Sequence, residues 1–441
     1  MPAADLTTRF FLAAAVILIA CRLVSAFAER AGQPPVVGEM ITGVLLGPSL
    51  LGALSPGIEA GLFPRALLPV IYVGGQLGLI ALMFQAGREL RGYLRPGLGR
   101  TALVISGAGV AAPLAVGAGL ALAASGHVAI FVPGVKTGVT AAFVGVTLAI
   151  TAFPMLARII VERGLSGTRF GSLALASGGI DDMAAWILLA GVLSLASAKP
   201  WPVTKAIAGA AAFVIVAVFI IRPLLDRYLR RSLSPQTFLL ITMTLVLAGA
   251  WFTSSVGLYS VFGAFSIGLV MPPAVAQAGT SQPEGDPVPA RQAPAELPGP
   301  ALVGSTMDGI SRMLVPMFFT YSGLNTRFAL LGNPRVLLFS LAAIVVAVLS
   351  KSGACWLAAR LAGESRSVSA RIGALMNARG LMQLIALNVG LQAGIASQDL
   401  FTSLVLVALV TTIMTSPILS WLDRRDQAVA LAPATLATSG G

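Results

Sequence analysis

The sequence predicts an all-α polytopic membrane protein of about thirteen transmembrane helices, built as an inverted-topology repeat with two discontinuous helices. Three observations carry this expectation: the composition, the number of apolar stretches, and a glycine–proline pattern that returns after 225 residues. The 441 residues are 56% hydrophobic and only 10% charged, with a mean hydropathy of +0.89. Soluble domains run near about 25% charged residues. A chain so poor in charge lacks the polar surface to solvate a globule of this size, which excludes a soluble enzyme. No nucleophile–base set or metal cluster stands out either.

A membrane-crossing helix needs about 20 mostly apolar residues. Such stretches lie near 10–28, 35–54, 68–87, 101–123, 138–161, 170–196, 203–222, 236–253, 257–272, 304–324, 336–359, 370–392 and 399–422. The longest connection, 273–303, is rich in Pro, Gly and Ala and is expected to be a disordered cytoplasmic linker. Residues 1–430 then form a single transmembrane domain and 431–441 a disordered tail, with no globular domain appended. Of the 29 Lys and Arg residues, 18 fall at the C-terminus or in loops after odd-numbered spans, against 7 at the N-terminus and in the other loops. The positive-inside rule therefore places the N-terminus outside and the C-terminus in the cytoplasm of a multi-pass cell-membrane protein. This topology signal accounts for the net charge of +12 without nucleic acid as a partner. Cys21 and Cys355 both lie in apolar stretches and provide no disulfide framework, and His127 sits in a connection.

The repeat is visible in the glycines. Val37-Gly38 is followed by Gly43 and Pro48, and Phe262-Gly263 by Gly268 and Pro272, with both glycine pairs at an offset of 225 residues. These are spans two and nine, an odd number of crossings apart, so the two copies enter from opposite sides, as in secondary transporters. The same offset lays Thr151-Ala152-Phe153-Pro154 on Met376-Asn377-Ala378-Arg379-Gly380. Both stretches interrupt an apolar span. Pro154 removes a backbone donor and Gly380 frees the backbone. Paired interruptions at corresponding positions point to a binding site near the bilayer midplane.

Charges inside spans need partners or a purpose. Asp181 and Asp182 lie in the middle of span six, in GSLALASGGIDDMAAWILLA. Successive helical residues point about 100° apart, so one carboxylate can face an ion cavity while the other faces a partner. Lys351 lies mid-span eleven, in VVAVLSKSGACWL. Alone at that depth it would be driven neutral; paired with Asp181 or Asp182 it stays charged. Such a pair can open when a proton or cation arrives. Arg379 at the second interruption can offset the negative end of a half-helix, and Asp308 and Arg312 are spaced for an intrahelical pair.

QPPVVGEMITGVLLGPSLLG, TLAITAFPMLARIIVERGLSGTRFG, ASGGIDDMAAW, GLYSVFGAFSIGLVMP, LVPMFFTYSGLNT and MNARGLMQLIALNVG together resemble the monovalent cation:proton antiporters. The likeness spans residues 10–422 and is nearest to the bacterial sodium/proton and potassium-efflux antiporters and the plant cation/H+ exchangers. It implies a sodium/proton antiporter-type fold in which two broken helices cross, and a homodimer in the lipid bilayer. It implies Asp182 as the ion- and proton-binding carboxylate, with Asp181 its companion, paired to Lys351 when no ion is bound. Thr151 and Asn377 complete the site, and Pro154, Arg379 and Gly380 shape the breaks. The transported species are H+ and Na+ or K+, with no further cofactor, and an Asp-Asp pair with a mid-span lysine goes with electrogenic exchange. Two alternatives are a sodium-coupled symporter of an organic solute on a related fold and a non-transporting membrane sensor.

Overall fold

A computed structural model describes residues 3–93, 98–128, 130–165, 167–197, 201–229, 234–271 and 298–431. Among these residues all regular structure is helical, as hydrocarbon demands: a segment deprived of water can satisfy its backbone groups internally only as a helix or a closed barrel. The chain opens with α1 (Ala3–Arg30) and α2 (Pro35–Leu46), followed by the short α3 (Leu51–Leu54) and α4 (Pro56–Leu62). Next come α5 (Leu68–Tyr93), α6 (Gly99–Ala123), α7 (Thr137–Ala149), α8 (Phe153–Glu162) and α9 (Arg169–Ser197). A π-helical turn, Ala217–Ile221, joins α10 (Trp201–Val216) to α11 (Arg222–Leu229). The remainder comprises α12 (Pro235–Ser255), α13 (Ser260–Val270), α14 (Pro298–Leu324), α15 (Pro334–Leu361), α16 (Arg366–Met376), α17 (Gly380–Gln392) and α18 (Gln398–Leu431).

Among the described residues, 11 stretches are long and apolar enough to cross a membrane, fewer than the thirteen predicted. The segment predicted near 257–272 folds as α13, whose 11 residues are too short to span the hydrocarbon unaided. The segment near 304–324 folds as α14, which carries Asp308 and Arg312, ion-paired at 2.6 Å, and falls outside the 11. That helix also begins earlier than predicted: residues 298–303, assigned to the linker, are helical. Pro298 and Pro300 stand in its first turn, where a missing N–H breaks no helical bond. The linker residues 273–297 and the tail 432–441 lie outside the described residues.

The described residues form two compact units. One is drawn from 1–75, 93–201 and 316–441, the other from 76–92 and 202–315. In the first, α6 packs against α7, α9 and α15, α9 against α16, and α17 against α18. In the second, α12 packs on α13. The repeat offset reappears in the packing within each unit. A Cβ on Gly38 would lie 2.4 Å from the Ser25 backbone, and one on Gly263 would lie 2.8 Å from the backbone nitrogen of Ala250. Ser25 and Ala250 are related by the same offset as the two glycines. Gly43 likewise backs onto the Phe319 carbonyl, at 2.1 Å from its absent Cβ, and Gly268 onto the Phe84 carbonyl at 2.0 Å.

These contacts are backbone to backbone, so there is no flexible side chain to give way. Gly43→Ala is expected to destabilise the protein by about 1–3 kcal/mol through overpacking, lowering its unfolding temperature in detergent. Gly107→Ala, on a helical position with open space around it, should leave that temperature unchanged or slightly raised.

Candidate functional site

Two helices of the first unit are interrupted, and the interruptions meet. The first ends at Ala149 because Ile150 is extended, with φ −61° and ψ 134°. Pro154 sits in the opening turn of α8, so the break lies just ahead of it. In the second, α16 ends at Met376 and α17 begins at Gly380, whose φ of +33° is easy only for glycine. The Ala152 N–H donates to the Ala378 carbonyl at 2.8 Å. The Thr151 hydroxyl, with one proton, lies 3.2 Å from the Met376 carbonyl and 2.8 Å from Asp181 Oδ2. The Gly380 N–H finds Thr412 Oγ1 at 3.0 Å.

Breaking α7 also strands carbonyls at its end, which carries the negative pole of the helix dipole. Two cations meet them. Arg379 donates to the Leu148 carbonyl and, at 2.6 Å, to the Ala347 carbonyl of α15. Lys351 Nζ donates to the Ala149 carbonyl at 2.6 Å. Both side chains are wholly buried, which excludes snorkelling of Lys351 to an interface.

Lys351 is also ion-paired with Asp181, Nζ to Oδ2 at 2.6 Å. The geometry thus selects between the two aspartates that the sequence left open. Asp181 is fully engaged: Oδ2 accepts from Lys351 and Thr151, and Oδ1 accepts from Ser106 Oγ at 2.5 Å. Asp182, turned away by one helical step and 1% exposed, buries an Oδ1 with no hydrogen-bond partner among the described residues. Asn377 donates to Met414 Sδ at 3.8 Å and also leaves its Oδ1 without a partner among the described residues. The structure therefore gathers Asp181, Lys351 and Thr151 into one hydrogen-bonded group, with Arg379 alongside. Among the described residues, no hydrogen bond joins the side chains of Asp182 or Asn377 to that group.

Several neighbours went unrecognised in the sequence. Ser106 is the polar member of the buried stripe of α6, which otherwise carries Ala102, Ile105, Gly109, Pro113, Gly117 and Ala121. Cys355, one turn beyond Lys351, fills the space that Gly109 leaves: a Cβ there would meet its sulfur at 2.6 Å. A charged cluster joins the far ends of the interrupted helices to α18. Arg371 of α16 pairs with Asp423 at 2.9 Å and with Asp426 at 2.5 Å. Arg163, just after α8, donates to the Ser416 carbonyl at 2.9 Å and to Ser420 Oγ at 3.0 Å, and lies 4.0 Å from Asp423.

Interrupted membrane helices meeting beside a buried carboxylate–lysine pair are the architecture of a secondary transporter. The transmembrane sodium/hydrogen exchanger family matches residues 13–422, and the chain belongs to this family of cation/proton antiporters. It is 32% identical over 429 residues to the Na(+)/H(+) antiporter NhaS4 of Synechocystis, covering 94% of this chain and 97% of that one. It is 32% identical to Cation/H(+) antiporter 18 of Arabidopsis thaliana over 91% of its own length, and spans 47% of that longer protein. The Na(+)/H(+)-K(+) antiporter GerN of Bacillus cereus is 28% identical over 93% of this chain. In fold, the chain is similar to the sodium proton antiporter MjNhaP1 of Methanocaldococcus jannaschii, with a TM-score of 0.65 over 97% of this chain and 99% of that one at 15% identity.

Breaking a buried ion pair leaves an uncompensated charge, at a cost of roughly 3–5 kcal/mol. Asp181→Asn and Lys351→Met should each lower the unfolding temperature in detergent. The double variant should recover much of that loss, since it leaves neither charge stranded.

Proposed function

We propose that this protein is an electrogenic Na+ or K+:proton antiporter of the cytoplasmic membrane. It works as a homodimer with its N-terminus outside and its C-terminus in the cytoplasm. The observation that carries this reading is the Asp181–Lys351 pair, wholly buried where the two interrupted helices meet, with Asp182 holding an uncommitted oxygen next to it. In the substrate-free state Lys351 neutralises Asp181. A cation drawn to Asp182 displaces the lysine and is completed by oxygens of Thr151 and Asn377. Protons compete for the same carboxylates.

Only a neutralised site crosses the low-dielectric barrier, because an uncompensated charge at the bilayer centre costs several kcal/mol. Cation and protons therefore exclude each other and exchange through alternating access. An Asp-Asp pair with a mid-span lysine, as in the antiporters this sequence resembles, goes with more protons than cations per cycle, so the exchange carries net charge. The relatives support the substrate class. The Synechocystis protein is named for Na+ and H+, and a Saccharomyces cerevisiae relative, 30% identical, for K+ and H+.

Proteoliposomes holding an inside-acid gradient test this directly. Addition of Na+, Li+ or K+ should collapse the gradient with the wild type and leave it intact with Asp182→Asn, and the ranking of cations gives selectivity. A gradient that no cation disturbs at any pH would sink the reading.

A further inference from the structure

We propose that Ser106 is a further ligand of the transported cation, an inference that rests on the antiport reading above. The Lys351 ammonium marks where a positive charge sits in the substrate-free state, ringed by Asp181 Oδ2 at 2.6 Å and the Ala149 carbonyl at 2.6 Å. A cation that takes the place of this ammonium inherits those oxygens. To Asp182 and Asn377 of the site proposed above, the Asp181 carboxylate adds the oxygens of two hydroxyls held against it. Thr151 Oγ1 bonds to its Oδ2, and Ser106 Oγ lies 2.5 Å from its Oδ1. A hydroxyl offers one proton and two lone pairs. Ser106 therefore donates to Asp181 while the lysine is engaged, and turns its lone pairs to a cation that replaces the lysine.

A purely local role fits Ser106 poorly. Many buried hydroxyls in these helices fold back on the carbonyl four residues earlier, as in Thr42 to Gly38, Thr242 to Phe238, Ser340 to Val336 and Thr411 to Val407. Ser106 instead donates across to another helix. It is 2% exposed and stands in a stripe of small and apolar residues that needs no hydroxyl for packing. One turn on, the absent Cβ of Gly109 would lie 3.7 Å from Lys351 Nζ and 3.8 Å from Asp181 Oδ2, with the Cys355 sulfur in the space at 2.6 Å, so α6 packs closely against this side of the site.

The test compares wild type, Ser106→Ala, Ser106→Thr and Ser106→Cys at one fixed alkaline pH. The concentration of Na+, K+ or Li+ giving half-maximal thermal stabilisation of the purified protein is measured, with choline holding ionic strength constant. Exchange KM and maximal rate are measured in proteoliposomes. Ser106→Cys is the decisive variant, because it preserves packing while replacing a hard oxygen with a soft sulfur that alkali cations avoid. Ser106→Cys and Ser106→Ala should raise the half-maximal concentration and KM roughly ten-fold with little change in maximal rate, and Ser106→Thr should restore wild-type values. Wild-type affinity in Ser106→Cys would overturn the proposal alone, as would failure of Ser106→Thr to rescue. A wild-type protein that no alkali cation stabilises or activates would overturn both this proposal and the antiport reading.

Discussion

A backbone carbonyl without a hydrogen-bond partner is a heavy cost at the centre of a bilayer, and the heart of this protein is organised around that cost. Interrupting α7 after Ala149 strands the carbonyls of Leu148 and Ala149, and the chain meets them with buried cations, Arg379 and Lys351. Lys351 is thereby committed twice, to a helix end and to Asp181. Whatever displaces it must take over both duties. In the proposed cycle this favours a substrate that is itself a cation.

The adjacent aspartates show how far one helical step can separate two identical side chains. Asp181 accepts from a lysine and two hydroxyls. Asp182, one residue on, holds an oxygen that no donor among the described residues satisfies. A fully satisfied carboxylate is held in place, whereas an unsatisfied one pulls on any donor or cation that reaches it. In the proposed cycle the first acts as the counter-charge and the second as the capture point.

Much of the fold was legible because hydrocarbon simplifies sequence: scarce charge and long apolar runs leave little choice but helices. The two interruptions were legible because Pro154 and Gly380 break regularity at matched positions, and the two glycine pairs because close backbone approach admits no side chain. The extent of α14 was not, since prolines that suit a linker suit a first turn equally well. Two of the thirteen expected spans fall short of the length or apolarity of a lone membrane crossing, α13 because it is short and α14 because it is part-polar. At the site, Asp181, Thr151 and Lys351 announced themselves by being polar where polarity is expensive. Which aspartate pairs with Lys351 came from the resemblance and not from helix geometry, because sequence fixes the angle between neighbouring aspartates but not which one faces the lysine. Ser106 was invisible for the opposite reason: a lone serine in an apolar span is common and nearly costless, and only its direction gives it meaning.

Asp423 occupies an unusual mechanical position. One of its oxygens is held by Arg371 from α16 and the other is approached by Arg163 from the end of α8, so a single carboxylate on α18 takes hold of one half of each interrupted helix. A displacement of either half-helix is therefore felt at the same carboxylate on α18.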